Sequence, residues 1–196
     1  MEQKQTESCI AIVGNRFFDI LKPEEHDYDI DCIATALSNI CRYTGHVDKF
    51  YSVAEHSVLV SKLVPEKYAL EGLLHDASEA FLGDVSSPLK KLLPDYKRIE
   101  NNVQKAMADF YGLVYPYPKE IHEADKRMYW NERKTVAPGP DALWHQEFGA
   151  ARRVTASGMT PTMAKRYFLS RYKEIMNDRK GNEQLQRQRP PEAKAA

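Results

Sequence analysis

Apolar positions in this chain recur mainly at the period of a helix. From Asp29 to Tyr43, the residues Ile30, Ile33, Ala34, Leu37, Ile40 and Cys41 return every three or four positions, and Gly45 marks the end. Ser52 and Glu55 of SVAEHSVLVSKLV have the spacing of a capping box, with Leu63, Val64 and Pro65 closing that second helix. A third helix is predicted from Pro65 through Phe81. Beyond the GDVSSP turn, a short LKKLL segment leads to a long helix from Asp95 to Tyr111, stopped by Gly112. Pro118 opens a sixth in PKEIHEADKRMYWNERK, with Ile121, Ala124, Asp125 and Met128 on its inward face. Thr160 and Pro161 cap a last helix from Met163 to Asn177. The exception to the helical period comes first. Residues 10–22, IAIVGNRFFDILK, set Gly14-Asn15 between apolar and aromatic runs, the pattern of a β-hairpin. The expected fold is therefore all-α, a helical bundle with one small N-terminal hairpin. APGPDALWHQEFG reads as loop. The Gln-, Arg-, Pro- and Ala-rich stretch 179–196 reads as a disordered tail, leaving one domain over 1–178.

Composition narrows the function classes. The chain has 196 residues, the size of one substantial domain. With 28 basic and 28 acidic residues its formal charge is zero, which argues against a protein that grips a nucleic-acid polymer or an anionic membrane. It leaves room for a local basic cluster around a small phosphate. Cys9, Cys32 and Cys41 lack Cys-x-x-Cys spacing and are odd in number, so a zinc ribbon or a disulfide framework is not expected. MEQKQTESC has no apolar signal core, and no run of apolar residues is long enough to span a bilayer, so a cytosolic protein is expected.

The helical faces also carry ligand chemistry. His56 lies in the first turns of the second helix, His75 and Asp76 lie near the inner end of the third, and Asp125 sits at an inward position of the sixth. Singly, each reads as an ordinary residue: a core or surface histidine, a carboxylate on a backbone amide, an acid paired with Lys126 or Arg127. Together they set two imidazoles and two carboxylates on faces that are otherwise apolar. Buried carboxylates without compensation cost several kcal/mol. A divalent ion such as zinc, cobalt, manganese or iron removes that difficulty and suits this donor set.

AEHS, LLHDASEAFLGDVSSPLK and EADKRM resemble the signature of the HD-domain metal-dependent phosphohydrolases: His, then His-Asp, then Asp. HDASEAFLGD…PLK is similar to the branch with bacterial 5′-deoxynucleotidases. LSNICRYTGHVDKFYSVAEHS and LLPDYKRIE are similar to small phage and prophage YfdR-like hydrolases, near relatives of phage dATP triphosphohydrolases. The resemblance covers about residues 10–135. It implies that His56, His75, Asp76 and Asp125 bind the metal and that Glu79 and Asp84 serve the chemistry. Arg42, Lys90 and Lys91 are implied as phosphate contacts, in a bacterial or phage-infected host cytosol.

Those residue types suit phosphoester hydrolysis. Glu79 stands one helical turn beyond His75, where a carboxylate can orient or deprotonate water, and Asp84 can supply a proton to the leaving oxygen. Arg42 can brace a phosphate with its planar fork. The plain readings remain beside these: a lysine-paired helix carboxylate for Glu79, a turn residue for Asp84, a solvated helix end for Arg42. His46 and His122 read as structural or solvent-facing, and Tyr115, Tyr117, Trp130 and Trp144 as core or as stacking partners of a base. The leading expectation is phosphate release from deoxynucleoside 5′-monophosphates, with dATP-type triphosphohydrolysis as the alternative. A cyclic-nucleotide phosphodiesterase, an alarmone hydrolase and a non-catalytic metal-binding module stand behind them. The expected partner is a small deoxynucleotide, and a homo-oligomer is compatible with the sequence.

Overall fold

A computed structural model describes residues 7–137 and 154–187. Trp144, most of the APGPDALWHQEFG stretch and residues 188–196 lie outside the described residues. The fold is all-α with a small antiparallel hairpin, as the periodicity predicts. Strands β1 (Cys9–Ile12) and β2 (Arg16–Asp19) pair with Ile10 opposite Phe18. The turn between them requires positive φ at both Gly14 (+86°) and Asn15 (+54°), residues that tolerate it. Phe18 is buried and stacks on Phe81 at 4.1 Å between ring centroids, so the hairpin braces the segment just beyond Glu79.

The helices are α1 (Ile30–Asn39), α2 (Val53–Leu63), α3 (Ala69–Leu74), α4 (Glu79–Leu82), α5 (Ser87–Lys90), α6 (Pro94–Tyr111), α7 (Lys119–Thr135) and α8 (Pro161–Arg187). Helix α2 is the axis of the domain. Every residue from Val53 to Ser61 is buried, because α1, α3, α7 and α8 all pack on it. A helix apolar on one face only would not tolerate this position. Gly72 lets α3 come close: a Cβ there would meet the Ser61 Cα at 3.0 Å and the Val64 Cγ2 at 3.1 Å. No helix among the described residues is long and apolar enough to cross a membrane.

Three expected boundaries need correction. Helix α1 ends at Asn39, not Tyr43, because Ile40 turns extended and the chain at 40–42 pairs with 51–53. The amide of Val53 donates to the Ile40 carbonyl (3.1 Å), and that of Arg42 to the Tyr51 carbonyl (2.9 Å). The third helix is not continuous through Phe81. Its backbone tightens after Leu74 into turns in which each amide reaches back three residues, as from Ala77 to Leu74 and from Glu79 to Asp76. Helix α8 continues past Asn177 to Arg187, and Arg179 pairs with buried Glu71 at 3.2 Å.

Ser52 caps α2 by accepting from the Glu55 amide, but the Glu55 carboxylate does not return to Ser52. It accepts instead from the Ser157 amide and hydroxyl and from the Met159 amide. Half of the predicted capping box is thus used to fasten the approach to α8.

Candidate metal centre and its cleft

Two histidines are brought nose to nose by the close crossing at Gly72. The same glycine supplies the carbonyl that accepts the Nδ1–H of His75, at 2.9 Å, which leaves the His75 Nε2 lone pair facing inward. His56 projects from the first turn of α2, and its Nδ1 meets a Glu132 carboxylate oxygen at 2.5 Å. Its Nε2 comes within 3.3 Å of the His75 Nε2. Asp125 Oδ1 lies 3.2 Å from the His56 Nε2 and 4.0 Å from the His75 Nε2. Asp76 Oδ2 lies 3.5 and 3.2 Å from the same two nitrogens.

Arg42 closes the far side, with Nη1 at 3.3 Å from Asp76 and Nε at 3.4 Å from Glu132. The Nε contact is an ion pair without hydrogen-bond alignment. The extended segment that replaces the end of α1 is what aims Arg42 here. Tyr43 and Thr44, which follow it, are held at φ values of +59° and +55° that residues other than glycine seldom adopt.

The electrostatics favour a cation between the imidazoles. Burial and the Arg42 charge push protonation of His56 down, yet the carboxylates of Glu132 and Asp125 prevail and raise it to about 9. Burial opposes ionisation of Asp125 and Glu132. Against it, the His56 hydrogen bond and charge hold Asp125 below the ordinary range, and Arg42 with His56 does the same for Glu132. Burial likewise opposes ionisation of Asp76, but His75, with His56 and Arg42 behind it, holds its carboxyl low.

A cleft of about 560 Å³ opens beside this cluster. Arg42, Asp76, Glu79, Asp84, Lys90 and Asp125 all line it, with Tyr43 and Tyr129 forming an aromatic wall. Glu79 is buried, and its Oε2 has no hydrogen-bond partner among the described residues. Burial, then the charges of Asp76 and Asp84, push its carboxyl well above the usual range. Burial also raises Asp84. Lys90 is held by Glu100. Lys91 is exposed and does not line the cleft. His46 and His122 are exposed, and Tyr115, Tyr117 and Trp130 lie outside the lining.

Sequence reasoning missed Glu132 and the tyrosines around it. Glu132 is fully buried and accepts from Tyr43 and Tyr51 as well as from His56. A signal for it existed. Glu132 extends the inward series Ile121, Ala124, Asp125, Met128 by a further helical turn, and an acid at an apolar position asks for a partner.

His56, His75 and Asp125 form a group that could hold a metal ion. Two donors about 2.1 Å from a common ion stand about 3–3.5 Å apart, which the separations here approach. Asp76 adds a further oxygen against both histidines. No protein-family model matches the chain. The YfdR protein of Escherichia coli is 37% identical over 175 residues, covering 88% of this chain and 98% of its own length. A Rhodobacter capsulatus protein is 30% identical over 189 residues, covering 87% and 96%. A 5′-deoxynucleotidase of Yersinia pestis is 33% identical over 87 residues, 40% of this chain and 41% of its own. At that identity, and over nearly the whole of the Escherichia coli protein, the chain belongs to the YfdR family.

Proposed function

We propose that the protein is a metal-dependent phosphohydrolase of the HD type that releases phosphate from 2′-deoxynucleoside 5′-monophosphates. The observation that carries this reading is Glu79, a buried, unpartnered carboxyl facing the same cleft as the His56–His75–Asp125 cluster. A binding module has no use for such a group, whereas hydrolysis needs a proton acceptor or donor there. The partial similarity to a 5′-deoxynucleotidase supports the substrate class. Bound by the cluster, a divalent ion supplies Lewis acidity toward a phosphoryl oxygen and brings the pKa of water to near 7. Arg42 holds the phosphate by a guanidinium edge, Glu79 takes or returns the proton of the attacking water at Oε2, and Asp84 serves the leaving oxygen.

Cleft cations favour the monophosphate over the triphosphate. Among the described lining residues the basic ones are Arg42 and Lys90, and Lys90 is tied to Glu100. Lys91, Lys97 and Arg98 are exposed outside the lining, and Arg98 pairs with Asp95. A triphosphate tail has little to hold it. Incubation of deoxynucleoside mono- and triphosphates with manganese, cobalt or zinc, with separate detection of phosphate and triphosphate, tests the proposal. Phosphate from the monophosphates is expected. Triphosphate release would replace this reading with the alternative, and no product from either class would end it.

A further inference from the structure

We propose that Glu132 is the positioning residue of the metal cluster: it fixes the proton of His56 on Nδ1 and aims the Nε2 lone pair at the metal position. The proposal rests on the metal reading above.

A carboxylate can only accept. Glu132 Oε1 faces the His56 Nδ1 at 2.5 Å, so the single N–H of a neutral imidazole must lie on that side, leaving Nε2 as a donor atom toward His75 and Asp125. Tyr51 shares the same oxygen at 2.9 Å, while Tyr43 and Arg42 hold the other. Glu132 therefore has no freedom to turn away from the imidazole. His75 is oriented differently, by the neutral carbonyl of Gly72. The two nitrogen ligands are thus unequal, with His56 the stronger donor because a charge stands behind it.

Packing alone does not account for this acid. Ile121 and Met128 fill the same face of α7 with apolar volume, and a carboxylate with no exposure carries a desolvation cost that such a side chain avoids. Its placement also joins the cluster to the cleft. The groups that steady Glu132, Arg42 and Tyr43, are themselves cleft wall.

The test begins with the intact protein loaded with zinc and uniformly labelled with ¹⁵N. Long-range proton–nitrogen correlation of the histidine rings should show His56 protonated at Nδ1, with that proton far downfield, and its Nε2 shifted by the ion. Zinc on Nδ1, or a proton on Nε2, overturns the proposal without any variant. Glu132→Gln keeps the volume but puts an amide where a charge stood. Its zinc affinity should fall about 10–100-fold, the usual effect of losing such a partner. Tyr51→Phe leaves the Glu132 carboxylate against His56 and should stay within about three-fold of wild type, whereas a purely structural role would move both variants together. A folded Glu132→Gln protein with unchanged zinc affinity refutes the proposal, and if that variant does not fold the wild-type tautomer decides alone. Zinc binding through His56 Nε2 without any hydrolysis would leave this inference standing and remove the proposed function. Hydrolysis with an indifferent Glu132 would do the reverse. A protein that binds no divalent ion loses both.

Discussion

Replacing Glu55 by alanine should cost the fold far more than its surface chemistry suggests. The side chain is fully buried at the start of α2, and its two oxygens accept from the Ser157 amide and hydroxyl at 2.8 Å each and from the Met159 amide at 2.7 Å. These three bonds pin the approach to α8, which packs across both α1 and α2. Gly158 between them is pressed so close that a Cβ would meet Lys49 at 2.9 Å, so the segment has no room to find other partners. Hydrogen bonds to a charged acceptor contribute about 1.5–3 kcal/mol each. Removing the carboxylate also relieves several kcal/mol of desolvation, and Ser157 is exposed enough to recover water, which leaves a net loss of about 2–4 kcal/mol. Glu55→Gln keeps an acceptor but turns an amide NH₂ toward one of the donors, so about half that loss is expected. Urea titration with a chelator present, to exclude metal linkage, measures both. A Glu55→Ala protein within about 0.5 kcal/mol of wild type, the ordinary range for an inconsequential surface change, would refute the latch. Because His56 is oriented by Glu132 and not by its neighbour, the folded variant should still bind metal.

Other outcomes follow from the same contacts. Glu79→Gln should keep metal affinity and lose turnover by about 10²–10⁴-fold, since its proposed role is proton transfer and its Oε2 faces the cleft without a hydrogen-bond partner among the described residues. Activity within a few-fold of wild type would make Glu79 structural. Asp76→Ala, which removes an oxygen from both histidines, should abolish stable metal binding, with atomic-absorption stoichiometry of the purified protein as the check. Saturating zinc or manganese at about 100 times the dissociation constant adds about 2.7 kcal/mol, so the melting temperature should rise by about 5–10 °C over the chelated protein. A chain ending at Arg179 should fold and keep its ion pair. One ending at Asp178 strips the ion-pair partner from buried Glu71, leaving it the Val114 amide, and should lose about 1–2 kcal/mol in urea, discounted because Arg179 is one-third exposed.

The long elements were legible because each obeys one period. Helices α2, α6 and α7 fall where the apolar spacing and the Ser52, Gly112 and Pro118 punctuation place them. The candidate metal cluster was legible for a related reason, since His56 and Asp125 interrupt apolar faces. What escaped was non-local. Nothing around Asn39 announces that the backbone will leave α1 to pair with residues 51–53, because that partner is a dozen residues away. The tightened turn at His75–Ser78 is likewise tied to the crossing at Gly72 and to the hairpin's Phe18 against Phe81, contacts distant in sequence, and His75, Asp76 and Ser78 are themselves weak helix formers. Helix α8 was cut short because its distal turns are polar, and the contact that fastens them, Arg179 with Glu71, spans 108 residues.

The charge around the cleft links these local features to function. The chain as a whole is balanced, yet the described lining sets Asp76, Glu79, Asp84 and Asp125 against Arg42 and Lys90, with Glu132 directly behind. Acids so placed repel a phosphate, and both basic groups are already engaged, Arg42 with Asp76 and Glu132 and Lys90 with Glu100. A cleft meant to bind an anion unaided would reverse that ratio. One meant to bind a cation first and the anion through it would look as this one does, with two oriented imidazoles at the focus of the acids. The raised Glu79 fits the same logic. Like Asp84, it has no ion pair among the described residues, and burial with the charges of Asp76 and Asp84 raises its carboxyl, so a cation and a phosphate that alter the field beside it would shift its hold on a proton.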